Sequence, residues 1–193
     1  MIEQPVCANR FLESLSFDGP APDRASKMML YGQFVGSWDL RIVDYEADGS
    51  RWDGFGEVYF GWVLEGRAIQ DVWISPPRNA RKNVSTTRNT YGTTLRVYDP
   101  NIDAWHILWT NPITQTYNTM IGRKIGDEIV QEYRDGDGTL NQWVFSEITP
   151  NSFHWIGRSS KNVVKGWDVG TDFFARRREK NVASSGNRLI MGL

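Results

Sequence analysis

Asp71 and Trp73 stand two residues apart in Gln70-Asp71-Val72-Trp73, and Arg96 and Tyr98 repeat that spacing in Leu95-Arg96-Val97-Tyr98. Residues two apart on an extended chain share a face. If that face looks into the protein, Asp71 is a carboxylate in an aromatic enclosure, placed to take or give a proton. Arg96 would then pair with Asp71 or hold a ligand carboxylate through two parallel hydrogen bonds. Glu57 and Tyr59 are candidates for the same polar group, as is Glu132. The two histidines oppose aromatic partners: His106 alternates with Trp105 and Trp109, and His154 with Phe153 and Trp155. Inward indoles therefore imply outward histidines. His106 is still grouped with Asp71 and Arg96 as a candidate acid–base residue should the protein be an enzyme.

A second set of residues suits binding rather than proton transfer. Nine tryptophans fall in 193 residues, and Trp38, Trp73, Trp105, Trp109, Trp143 and Trp155 all lie on short alternating segments. Indole faces lining a cavity stack on a flat aromatic or polycyclic guest. With Tyr59, Tyr98 and Glu132 they form the candidate ligand-binding set. Several of these rings would equally well fill a narrow barrel.

Other chemistries lack their signatures. The single cysteine, Cys7, allows no intrachain disulfide and no cysteine-based metal site. Two histidines cannot make a three-histidine centre, and no spacing supports a histidine–carboxylate metal site. The chain has no Gly-x-Gly-x-x-Gly opening a helix, no phosphate loop, no His-Glu-x-x-His and no Gly-x-Ser-x-Gly. No cofactor is expected. A net charge of −1 offers no field for nucleic acid, and no apolar run is long enough to span a membrane. Without a secretory leader, a cytoplasmic location is the expectation.

The elements that must position these residues are strands. From Ser37 the hydrophobic period is two, and ten strands are predicted at 37–46, 51–63, 67–75, 90–98, 104–111, 115–125, 127–134, 139–148, 152–160 and 164–177. Tight turns such as Ala47-Asp48-Gly49-Ser50 and Asp135-Gly136-Asp137-Gly138 join them in sequence order. Such a meander removes its exposed edges by closing on itself. The fold class is therefore all-β, a ten-stranded antiparallel up-and-down barrel over 34–180. Residues 1–33 supply short capping helices: one with Phe11, Leu12 and Leu15 on its apolar face, and a second N-capped by Asp23 and carrying Met28, Met29 and Tyr31. The polar loop 76–89 is either a flap over the barrel mouth or a solvated excursion. Residues 181–193 read as a tail, whose Leu189-Ile190-Met191 end leaves a homodimer open.

Gly36-Ser37-Trp38 at the head of the first strand resembles the Gly-x-Trp opening of calycins, the lipocalins and fatty-acid-binding proteins among them. That resemblance implies an arginine from the end of the chain packed over the indole, supplied by Arg176, Arg177 or Arg178. Phe60-Gly61-Trp62-Val63-Leu64-Glu65-Gly66-Arg67-Ala68, Gln70-Asp71-Val72-Trp73, Leu95-Arg96-Val97-Tyr98-Asp99-Pro100 with Trp105, and the closing Phe173-Phe174-Ala175-Arg176 look like bacterial proteins of the uncharacterised DUF1579 group. It implies a calycin-like barrel with a small-molecule pocket and no assigned activity. In outline the chain is also similar to nitrobindin, a haem barrel, but the Gly-x-Trp-x-Gly-x-Gly opening of nitrobindins is absent: Trp38 runs on as Asp39-Leu40-Arg41.

The expected function is binding of a small, largely apolar aromatic molecule. The alternatives are a cofactor-independent isomerase, cyclase, hydratase or lyase built on Asp71, Arg96 and His106, a haem barrel using His106 or His154, and an interaction module with a filled barrel.

Overall fold

Alternating burial along the strands follows from their composition, and in the computed structural model it produces a closed cylinder. The structure describes residues 6–81 and 88–179. After a helix α1 (Val6–Leu15), a two-residue strand β1 (Ser16–Phe17) and a helix α2 (Ala25–Gly32) come ten longer strands: β2 (Gly36–Tyr45), β3 (Arg51–Val63), β4 (Ala68–Ser75), β5 (Thr90–Asp99), β6 (Ala104–Asn111), β7 (Thr116–Ile125), β8 (Glu128–Arg134), β9 (Leu140–Ser146), β10 (Ser152–Ser160) and β11 (Asp168–Arg177). Each pairs antiparallel with the next from β2 to β11, and β11 returns to β2 from Thr171↔Asp44 to Arg177↔Trp38. The ten-stranded up-and-down barrel is therefore complete. The short β1 adds to β3 at Trp62 and Val63, beyond the end of the β2 ladder at Gly36↔Phe60.

Closure rests on the residue pair that the Gly-x-Trp pattern implies. Of the three terminal arginines, Arg177 lies over the Trp38 indole at 4.0 Å. The same guanidinium donates to the carbonyls of Pro150 (2.7 Å), Val35 (2.8 Å) and Gln33 (2.8 Å), and Trp38 Nε1 donates to Phe34 O at 2.8 Å. Gly36 has φ +132°, and a Cβ there would stand 2.7 Å from Arg177 Nη1. Only glycine fits that conformation beside that side chain.

α2 caps one end. Met28 and Tyr31 on its buried face, with Phe34 after it, enter the barrel. Tyr31 meets Trp105 edge-on at 4.9 Å, Phe34 stacks on Phe145 at 4.8 Å, and Trp38 meets Phe153 at 4.8 Å. This half is packed solid with rings, each contact adding about 0.5–1.5 kcal/mol beyond burial. Two expectations for the cap are corrected. Asp23 does not cap α2; it lies in a 3-10 turn, Pro22–Arg24, and its carboxylate pairs with Arg24 and Arg67 instead. Phe11 and Leu12 are more than half exposed, so α1 does not lay that face on the barrel; its last residue, Leu15, accepts the Leu64 backbone N–H at 3.0 Å.

The loop after β4 sits at the other, open end, and its described parts are tied down. Arg78 Nε donates to Glu57 at 2.7 Å, Arg81 Nη1 bridges the carbonyls of Pro76 (3.0 Å) and Thr90 (3.1 Å), and Arg88 Nη2 reaches Glu46 at 2.7 Å. The Leu189-Ile190-Met191 end lies outside the described residues.

Candidate functional site

Register decides which residues face inward. Val58 pairs with Trp73 and Phe60 with Asp71; Asp71 pairs with Thr94, Thr94 with Trp109, and Arg96 with Ile107. On the opposite wall Gln131 pairs with Trp143, Phe145 with Trp155, and Trp155 with Phe173. Side chains directly opposite across a ladder share a face, so the indoles of all six tryptophans in the candidate set point into the barrel.

Towards the open end the rings part. Trp109 meets Trp143 at 5.7 Å, Trp143 meets Trp155 at 5.4 Å, Trp155 stacks on Phe173 at 4.9 Å, and Phe173 meets Trp73 at 5.5 Å. These five rings wall a cavity of about 110 Å³, completed by Thr90, Thr94 and Arg96. Trp143 and Trp155 also border a wider vestibule of about 860 Å³ at the rim, where Arg158 lies over Trp167 at 4.7 Å. Gly92 makes room for the wall: a Cβ there would come within 2.4 Å of the Trp109 ring.

The inner end of the cavity is polar. Arg96 and Asp71 form an ion pair through Nη1 and Oδ2, both side chains almost wholly buried. Asp71 Oδ1 accepts the Thr94 backbone N–H at 2.9 Å, and Arg96 Nε donates to Gln131 Oε1 at 3.1 Å. Beneath, the guanidinium lies 4.9 Å from the centre of the Tyr31 ring. Burial pushes the Tyr31 phenol far above its ordinary range, against the pull of Arg96, so it stays neutral. Four buried polar atoms have no hydrogen-bond partner among the described residues: Tyr31 Oη, Thr94 Oγ1, Gln131 Nε2 and Thr171 Oγ1. Three of them belong to this cluster or touch it, and Thr171 borders the vestibule.

The expected site residues thus divide. Trp73, Trp109, Trp143, Trp155 and Arg96 surround the inner cavity. Trp38 and Trp105 point inward but are buried in the solid half. Tyr98 is at the helix-capped end, donating to Asp103 at 2.6 Å. Asp71 stands behind Arg96 with both oxygens occupied, and it does not border the cavity.

Three placements are corrected. Tyr59 is on the outer face, because the ladder sets it opposite Val72 while Asp71 faces Phe60. There it joins Glu57, whose carboxylate accepts from Tyr59, Arg78 and Arg178 at 2.7–2.9 Å. Glu132 is outside too, accepting from Gln142 at 3.2 Å, since Gln131 takes the inward position. His106 faces out, as the inward indoles imply, half-exposed and 3.1 Å from Asp99, which separates it from Asp71 and Arg96. Phe173 and Thr94 enter the site unanticipated. Their signal was parity: Phe173 alternates into line with Ala175 and Arg177, and Thr94 with Arg96.

A haem held through histidine does not fit this barrel, because His154 also faces out, stacked on Phe174 at 4.4 Å and 2.8 Å from Asp172. Among the described residues no three His, Cys, Asp or Glu side chains gather as a metal site.

No family model matches the chain, so the resemblance to the DUF1579 group rests on the quoted motifs alone. No curated protein matches it either. Solved structures do. The S-type phycobiliprotein lyase CPES from Guillardia theta aligns over 83% of this chain and 99% of its own, with a TM-score of 0.56 at 10% identity. The barrel is calycin-like. Rv2717c from M. tuberculosis is similar over the same shares, 83% and 99%, with a TM-score of 0.53 at 12% identity. At these identities the likeness is one of fold.

Proposed function

We propose that the barrel binds a small planar aromatic molecule, one ring held between Trp73, Trp109, Trp155 and Phe173 and the remainder lying in the vestibule. The observation that carries this reading is the aromatic-walled cavity, which shares the Trp143 and Trp155 side chains with the wider vestibule at the rim. Its size supports the division of the guest, since an engineered cavity of about 150 Å³ holds one benzene. The CPES structure supports it at one remove, as a similar barrel that belongs to a phycobiliprotein lyase. Binding is favoured over acid–base turnover because the side chains around the inner cavity are tryptophan, phenylalanine, threonine and arginine, with no carboxylate or histidine among them.

Calorimetric titration with 2-naphthol tests this. The protein binds it, Trp109→Ala weakens binding about tenfold, the equivalent of roughly 1.4 kcal/mol from one lost ring contact, and Leu108→Ala on the exposed face leaves it unaltered. Absence of binding, or a dissociation constant untouched by Trp109→Ala, overturns the reading.

A further inference from the structure

Resting on the binding reading above, we propose that the inner cavity selects aromatic molecules bearing a neutral oxygen acceptor, a carbonyl or hydroxyl, and directs that oxygen to Thr94 and Arg96. The side chains around the cavity supply N–H and O–H donors and no carboxylate or amide oxygen. The Thr94 hydroxyl is buried and without a partner among the described residues. Arg96 borders the cavity as a cation held in place through Nε to Gln131 and Nη1 to Asp71. An apolar guest would leave the Thr94 hydroxyl dry, whereas a guest with an acceptor at its inner end satisfies it beside the Arg96 cation.

Charge decides which acceptor. Asp71 already neutralises Arg96 inside the barrel, so the floor carries no net charge. A carboxylate entering it loses its hydration without meeting an uncompensated cation. A neutral oxygen accepts the same hydrogen bonds at a far smaller desolvation cost. The guest's ring then lies against the indoles with its oxygen innermost, and any further substituents extend outward past Trp143 and Trp155.

The test uses three probes of nearly equal size, ethylbenzene, acetophenone and benzoate, titrated against the intact protein with tryptophan fluorescence as readout. Acetophenone binds about tenfold or more tighter than ethylbenzene, as expected for a hydrogen bond to an otherwise unpaired buried donor, and benzoate binds more weakly than acetophenone. Thr94→Val, equal in shape and keeping the backbone N–H bond to Asp71, cuts the acetophenone-to-ethylbenzene ratio at least about threefold. Equal affinity for ethylbenzene and acetophenone, tighter binding of benzoate, or a ratio unmoved by Thr94→Val overturns the proposal while leaving the aromatic pocket standing. Failure of all three probes to bind removes the pocket and the proposal together.

Discussion

Breaking the ion pair beneath the cavity should expose how much the barrel depends on its inward register. Both side chains are at most 1% exposed, and Asp71 holds the Thr94 backbone N–H as well as Arg96. Asp71→Asn preserves shape and the acceptor for Thr94 but leaves the Arg96 cation buried alone, which costs about 3–5 kcal/mol. Arg96→Met leaves the Asp71 anion alone and costs about the same. Independent effects would therefore sum to about 6–10 kcal/mol. In the double variant neither charge remains, and the main loss is the unpaired Gln131 carbonyl, about 1–3 kcal/mol. The coupling between the two sites is accordingly at least about 3 kcal/mol. Urea unfolding reads this directly: with a slope of about 2 kcal/mol/M, each single variant lowers the midpoint by about 2 M and the double variant by about 1 M. Single variants within about 1 kcal/mol of the parent, or an additive double variant, would show that the two groups are not a buried pair.

Two other perturbations report on the frame around the site. Arg177→Ala loses the contact with Trp38 and the bonds to three carbonyls, so melting temperature falls by the equivalent of about 2–4 kcal/mol; Arg177→Lys recovers only part of it, lacking the planar fork, and full recovery would mean the stacking is immaterial. Burial raises the pKa of Glu57, but hydrogen bonds from Arg78, Tyr59 and Arg178 outweigh it and bring the carboxyl from 4.5 to about 2. Because the folded value lies below the unfolded one, this contribution is complete above about pH 4.5 and disappears as pH falls towards 2, amounting to about 3 kcal/mol at most, less for screening of the exposed Arg78. Glu57→Gln should flatten the stability profile across that interval, and an unchanged acid limb would remove Glu57 from the account.

How far the sequence reveals this arrangement depends on the kind of information involved. Alternation marks most of the barrel strands, and strong turn residues between them force a meander whose edges must close; both are local signals. Trp105 and Trp109 share a face by spacing alone. Which face of one strand meets which face of the next is not local. Residue type alone puts Tyr59 and Asp71 in one polar cluster, yet the Leu64-Glu65-Gly66 turn, all three residues at positive φ, sets Phe60 against Asp71 and turns Tyr59 outward. On β8 both Ile129 and Val130 are buried, so composition could not tell that Gln131 rather than Glu132 looks inward. The three consecutive arginines posed the same problem. Arg177 is in line with the inward Phe173 and Ala175, while Arg178 belongs to the outer cluster around Glu57. Cavity size lies further still from sequence, because six inward indoles could fill a barrel or line it. Here Trp38 and Trp105 fill one half while the others wall the opening.

That division supplies the most direct measurement. In protein labelled with ¹⁵N at the indole nitrogens, titration with 2-naphthol should shift the Nε1 signals of Trp73, Trp109, Trp143 and Trp155 together, while those of Trp38 and Trp105 stay in place. Shifts confined to Trp38 and Trp105, or no shift at any of the six at millimolar probe, would contradict a ligand site at the open end of the barrel.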